Sequence, residues 1–257
     1  MRIAVCMKAV VDSQARIELD GDGDLRQEQL RYEVNEYDLY AVEEAIRLVD
    51  GDNGEVTVIS LGTNGAAQGL RKGLAMGASD AIHVDCEPDA LDPHGVAVLL
   101  AAALREGGYD LVFTGVESDD LGGSQVGVLL AEELGYASTT LVVGTSAPAD
   151  GSMQVRRELE GGEHATVEIQ IPAVLTIQSG INEPRYPSLK GIIAAKRKEL
   201  VEKTPADLGF AELPARRVIA LGLVTPPARE LARMLTGSAE EMAVELVRIL
   251  RDEEKVL

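Results

Sequence analysis

Four short apolar runs, each in step with a helical pattern, constrain what this chain can fold into more than any other feature. Residues 2–7 (RIAVCM), 55–60 (EVTVIS), 81–84 (AIHV) and 110–114 (DLVFT) are almost continuously apolar, the mark of strands covered on both faces. Residues 39–49, 66–76, 95–105 and 124–134 place apolar side chains at helical spacing instead. Turn residues such as GDNG (51–54) and LDP (91–93) separate the two kinds of segment. Parallel strands need crossover connections of this kind, usually a helix. The pattern predicts an α/β fold, a doubly wound and mostly parallel sheet with helices on both faces.

Past Gly135 the periodicity changes. Residues 141–143, 153–159, 165–171 and 174–178 read as strands, and EGGE (160–163) is a turn between the second and third. A hairpin extension of the main sheet is expected there. Residues 203–226 are Pro-rich and aperiodic, a linker or extended C-terminal arm. A last helix over 238–251 starts with Ser238 as its cap and Glu241 closing a capping box. The expected division is an α/β domain over 1–200 and an arm with its helix over 201–257.

Of the 257 residues 46% are hydrophobic but only 3% aromatic, with no Trp, so the core must be aliphatic and rich in Ala and Gly. A net charge of −19 repels a phosphate backbone and argues against general nucleic-acid binding. Acidity of this kind also serves solubility, or adaptation to salt or heat. Two cysteines cannot staple a fold, and Cys6, inside an apolar run, is expected to be a buried and inert thiol. The N-terminus lacks a signal-peptide pattern and no run is suited to span a membrane, so a cytoplasmic protein is expected.

The clearest small-molecule signal is TGVESDDLGGSQVG, residues 114–127, which follows an apolar strand and leads into a helix. Gly115, Gly122 and Gly123 would let main chain approach a ligand, and the helix start at Ser124, Gln125 and Val126 offers unpaired N–H groups to a phosphate. Neither GxGxxG nor GK[ST] is present, so a Gly-rich connection is the competing reading. Ser118, Asp119 and Asp120 lie in the same loop; the two aspartates suit ribose hydroxyls or a solvated turn. A second cluster, VNEYDLYAVEEA (34–45), puts Asn35, Glu36, Tyr37 and Asp38 at a helix start, with Asn35 or Asp38 as its cap and Glu43 and Glu44 on the turns that follow.

Groups for chemistry proper are few. The three histidines, His83, His94 and His164, lack ligand spacing, and GxSxG is absent. Arg157 and Glu158 read as a simple ion pair. Such poverty fits a protein whose chemistry belongs to a cofactor. One passage stands apart: GINEPRYPSLKGIIAAKRKEL (180–200), a proline-stiffened elbow leading to Lys196, Arg197 and Lys198 in an otherwise acidic chain.

That passage, with AVEEAIRL, LRKGLAMGASDAIHV, the loop at 115–127 and the closing PPARELARMLTGSAEEMAVELVRIL, resembles the beta subunit of electron transfer flavoproteins along nearly the whole chain. The resemblance implies a heterodimer with an alpha subunit that holds most of an electron-carrying FAD, while the beta subunit holds an adenine nucleotide. The nucleotide is AMP in the ordinary branch, or the adenylate end of a second FAD in the electron-bifurcating branch, which accepts electrons from NADH. Carried over by position, it would meet Cys6, Asn35 to Asp38, Leu61 and the loop from Gly115 to Val126. Glu36 stands where proline is usual, and VESDDLGGSQ replaces the commoner QAIDGD type of loop. The Tyr-Asp-x-Tyr segment at 37–40 favours the bifurcating branch; the loop, without Ala-Ile-Asp-Gly-Asp, favours AMP with a single FAD. The elbow matches the segment that docks dehydrogenases, such as acyl-CoA dehydrogenase of fatty acid beta-oxidation, with Leu189 as apolar anchor and Pro184, Arg185 and Tyr186 beside it. Electrons would pass on to a quinone oxidoreductase. Arg157 and Glu158 match positions at the flavin-domain interface, and the arm would pack on the alpha subunit. Two other classes are a nucleotide sensor of the universal-stress type, which needs neither elbow nor arm, and a free-standing nucleotide-dependent enzyme, for which catalytic groups are lacking.

Overall fold

A computed structural model describes every residue except 22–24, 27–29, 52–53 and 228–231, with Asn64 described by its backbone alone. The middle of the expected GDNG turn, and four residues of the closing matched block, lie outside the described residues. The parallel strands are β1 (Arg2–Cys6), β4 (Glu55–Leu61), β5 (Asp80–Val84), β6 (Leu111–Gly115), β7 (Ala137–Thr145), β10 (Ala173–Ile177) and β11 (Val201–Lys203). β8 (Ser152–Glu158) and β9 (His164–Gln170) are antiparallel. The nine strands form one sheet in the order β11-β5-β4-β1-β6-β10-β7-β8-β9. A small antiparallel pair, β2 (Ala9–Val11) with β3 (Tyr32–Val34), stands beside it.

Alternation along each strand builds two core layers, because successive side chains leave opposite faces. Ile3 and Val5 of β1 join Phe113 and Leu175 under α1 (Glu36–Val49) and α2 (Asn64–Met76). Ala4 and Cys6 join Ile59, Val112 and Val174 under α3 (Pro93–Leu104) and α4 (Val126–Leu134). Small residues let the helices come close. A Cβ on Gly127 of α4 would lie 2.6 Å from both Thr114 Oγ1 and Thr176 Cγ2.

The expected doubly wound sheet is present, and the hairpin extension continues it through β7, β8 and β9, with the turn at 160–163 as read. The helix expected from residue 124 begins at Val126. The elbow leads into α5 (Leu189–Arg197), and β11 then pairs with β5, so the sheet continues past residue 200. The arm stays close at first: Leu208 and Phe210 pack against Cys86, Leu91 and Leu99. Asp92 caps α3 by accepting the Gly95 N–H and also accepts the N–H groups of Arg217 (2.6 Å) and Val218 (3.0 Å). Those amides, Gly95 first, hold its carboxyl down to about 2. α6 (Ala239–Arg248) opens with the expected capping box of Ser238 and Glu241, then widens into a π turn over Ile249–Glu253. Among the described residues no helix is long and apolar enough to cross a membrane.

Candidate functional site

From β1 the chain moves outward on one side, to β4 and β5, and later returns to β6 on the other side of β1. The connections leave in opposite directions between β1 and β6, and a crevice opens at the carboxyl ends of that pair, where sheets of this kind bind ligands. Cys6 ends β1, Gly115 ends β6, and α1 starts directly above them.

Asp38 ties the three together. It was read as a possible helix cap, but it sits inside the first turn, and its carboxylate accepts the N–H groups of Lys8 (2.7 Å) and Gly115 (2.9 Å). It therefore fastens the ends of β1 and β6 and caps nothing in α1. Burial pushes its carboxyl up to about 7 against the pull of those amides and of Asn35. Burial, reinforced by Asp38, also raises the Cys6 thiol far above its ordinary range, so Cys6 is the buried, protonated thiol expected.

Asn35 occupies the cap position of α1, yet its side chain makes no capping bond. Its amide instead reaches across to the loop, donating to Glu117 O (2.8 Å) and accepting the Asp119 N–H (2.9 Å). Asp119 answers by accepting the Glu36 N–H at 2.9 Å. Loop and helix start are thus laced reciprocally, and Asp119 supplies the cap that Asn35 does not. The Tyr37 hydroxyl and Ser124 Oγ donate to the two oxygens of Glu117. Burial, then the nearby Glu117 carboxylate, raises the Tyr37 phenol and keeps it a donor.

The close approach at Gly115 is obligatory: a Cβ there would lie 2.5 Å from Asp38 Oδ1 and 2.7 Å from Tyr37 Cβ. Farther along, Gly122 and Ser124 take left-handed φ values of 57° and 50° and turn the chain into α4. Gly123, between them, has open space where a Cβ would stand. Gln125 gives α4 no side-chain cap, and the first intrahelical bond runs from Leu129 N–H to Gln125 O. The amides of Val126, Gly127 and Val128 precede it, an arrangement suited to an anion. Leu61 ends β4 one strand away.

Sequence reasoning missed Lys8. Its ammonium lies 2.7 Å from Asp120 Oδ1 and 3.2 Å from Ser118 Oγ, a cation brought from the end of β1 to the glycine loop. Its position just past the first apolar run was the available signal. Asp120, expected at ribose or in a solvated turn, is engaged by this lysine. Three features suit a phosphate: main chain bared at Gly123, amides at the α4 start that have no partner among the described residues, and Lys8, whose charge is shared with Asp120.

The elbow is a second surface. Pro184 and Tyr186 flank Arg185, whose guanidinium and main-chain N–H all turn inward to Glu43 of α1, at 2.7, 3.0 and 3.1 Å. Burial raises the Glu43 carboxyl, but Arg185 and Arg47 outweigh it and the net shift is downward. Tyr186 is 97% exposed and Leu189 is 74% exposed. Of the three basic residues after the elbow, Lys196 and Arg197 sit in the last turn of α5, favourable to its dipole. Lys198 is committed to the fold, donating to the carbonyls of Ala78 and Ser79 at 2.8 Å.

Arg157 and Glu158 do not pair with each other, contrary to the reading of an ion pair. Neighbours on a strand leave opposite faces. Arg157 donates to Thr140 Oγ1 (3.2 Å), while Glu158 accepts from Gln178 Nε2 (3.0 Å). The two lie far along the sheet from the crevice, on β8.

Residues 25–208 match the model of the electron transfer flavoprotein domain. The chain is 34% identical over 265 residues to the electron transfer flavoprotein subunit beta of Bacillus subtilis, with all of both chains covered. It is 34% identical to that of Methylophilus methylotrophus, with 98% of each covered, and 36% identical to that of Bradyrhizobium diazoefficiens over the whole of both. With a switch-point crevice and an exposed elbow set in a chain of matching length, this protein belongs to the electron transfer flavoprotein family, among its beta subunits.

Proposed function

We propose that the chain is one half of a heterodimeric electron transfer flavoprotein, binding an adenine nucleotide in the β1/β6 crevice and pairing with an alpha subunit. The observation that carries this reading is the crevice itself: Gly115 pressed on Asp38, open space at Gly123, and Lys8 held to the same loop at Ser118 and Asp120. The nucleotide's phosphate would lie on Gly123 and the amides from Val126 onward, with Lys8 as counter-charge. Asn35, Glu36 and Tyr37 would line its ribose and base, with Cys6 and Leu61 forming the floor. The FAD shared with the alpha subunit would provide the electron chemistry. AMP is the favoured occupant; the 37–40 segment favours the alternative of a second FAD that accepts electrons from NADH.

Residues 201–257 are assigned to contact with the alpha subunit. Val218, Ile219, Leu221 and Val224 of the arm are each more than half exposed, as is Val244 of α6. Apolar surface of that extent calls for a cover. The elbow is assigned to dehydrogenase docking through Leu189, acyl-CoA dehydrogenases among the candidates, and Arg157 and Glu158 to the flavin-domain interface. A quinone oxidoreductase is the proposed acceptor, in the cytoplasm or at a membrane facing it. The test is co-expression with an alpha-type partner. The reading expects a yellow 1:1 complex, and a colourless chain that never pairs would refute it.

A further inference from the structure

Helix α1, whose first turn forms one wall of the crevice, also holds the elbow, through two carboxylates that serve neither the core nor the crevice. Glu43 and Glu44 are 2% and 8% exposed. Adjacent carboxylates buried this far need partners to offset lost hydration, and both find them in the elbow, about 140 residues downstream. Glu43 takes three N–H bonds from Arg185 and one from Arg47. Glu44 accepts from Asn182 Nδ2 at 3.0 Å and from Thr145 Oγ1 at 2.5 Å, while Asn182 also donates to Tyr40 O. The elbow is thus gripped at 182 and at 185, on either side of Glu183 and Pro184. The residue immediately after the second grip, Tyr186, is almost wholly exposed, and so is most of Leu189.

A base held by a part-buried ion pair and a buried amide–carboxylate bond, beneath an apolar tip left in solvent, is a presented loop. We infer that Glu43 and Glu44 are positioning residues that fix the elbow's base, so that Tyr186 and Leu189 meet a partner protein already in one orientation. Fewer side chains then need ordering on contact, which strengthens docking without adding any contact to the partner. This rests on the reading of the elbow as a docking segment.

The test uses the intact two-subunit flavoprotein with a dehydrogenase as reductant, comparing Glu43→Gln, Arg185→Met, their double variant and Leu189→Ala. Hydrogen exchange of residues 180–188 reports the grip, and the KM for the dehydrogenase reports docking. Glu43→Gln should speed exchange in that segment and raise KM by about three- to ten-fold, the ordering cost of one or two side chains. Nucleotide content and kcat at saturating dehydrogenase should hold. The double variant should be no worse than Arg185→Met alone, because both singles break one interaction. If Leu189→Ala raises KM while Glu43→Gln changes neither exchange nor KM, the positioning role is overturned and docking stands. If Leu189→Ala leaves KM unchanged, the docking reading fails and takes the inference with it.

Discussion

The crevice and the elbow are both made of loops set on α1, yet they are built in opposite ways. In the crevice, polar groups are answered inside the chain: Asp38 by two strand ends, Asn35 by the glycine loop, Asp120 by Lys8. What it leaves open is main chain, at Gly123 and at the start of α4. In the elbow the Asn182 amide N–H groups and Arg185 are answered by α1, but what is left open is side chain, the ring of Tyr186 and the apolar end of Leu189. Bare main-chain amides suit a small anion, whereas bare apolar side chains suit a protein surface.

The largest effect that breaks the comparison should come from Gly115→Val. Its side chain would overlap Asp38 and Tyr37, costing about 3 kcal/mol of stability as an overpacked site and abolishing nucleotide binding; a urea midpoint and a nucleotide assay would show both. Gly123→Val should separate the two effects. With open space around it, the variant should lose nucleotide several-fold while its nucleotide-free stability stays within about 0.5 kcal/mol.

Asp38 gives a pH dependence of definite sign. Its folded carboxyl is raised from 3.8 to about 7, so the unfolded chain releases this proton first. Stability from this group is full below about pH 4 and falls as pH rises to about 7. Asp38→Asn removes that slope, so its stability deficit against the parent should narrow across the same window in urea titrations. Asp92 behaves inversely. Its carboxyl is lowered from 3.8 to about 2, so its contribution is present above pH 3.8 and lost as pH falls toward 2. Asp92→Ala should cost about 1 kcal/mol as a lost helix cap and expose the arm near 217 to limited proteolysis. Leu189→Ala should change stability least of all, within about 0.5 kcal/mol at an exposed position, and leave flavin content intact while weakening dehydrogenase turnover.

The sequence showed features governed by near neighbours. Apolar run length marked β1, β4, β5 and β6, glycines marked the loop after β6, and Ser238 with Glu241 marked the last cap. Features made by distant residues were hidden. The pair β2 and β3, three residues each and separated by a polar stretch, is too short to carry periodicity, and so is β11. Asp38 looked like a cap because its partner at Gly115 is 77 residues away. Glu43 and Glu44 looked like ordinary acidic residues of a helix start until Asn182 and Arg185 came to rest on them. Arg157 and Glu158 misled in the opposite way, since adjacency in a strand separates side chains.

The most direct measurement is the nucleotide carried by the purified two-subunit complex, released by acid and identified by mass spectrometry. One adenine nucleotide per beta chain beyond the shared FAD is the predicted result, AMP in the favoured case and a second FAD in the alternative. A complex that pairs and binds flavin yet yields no further adenylate would contradict the assignment of the β1/β6 crevice.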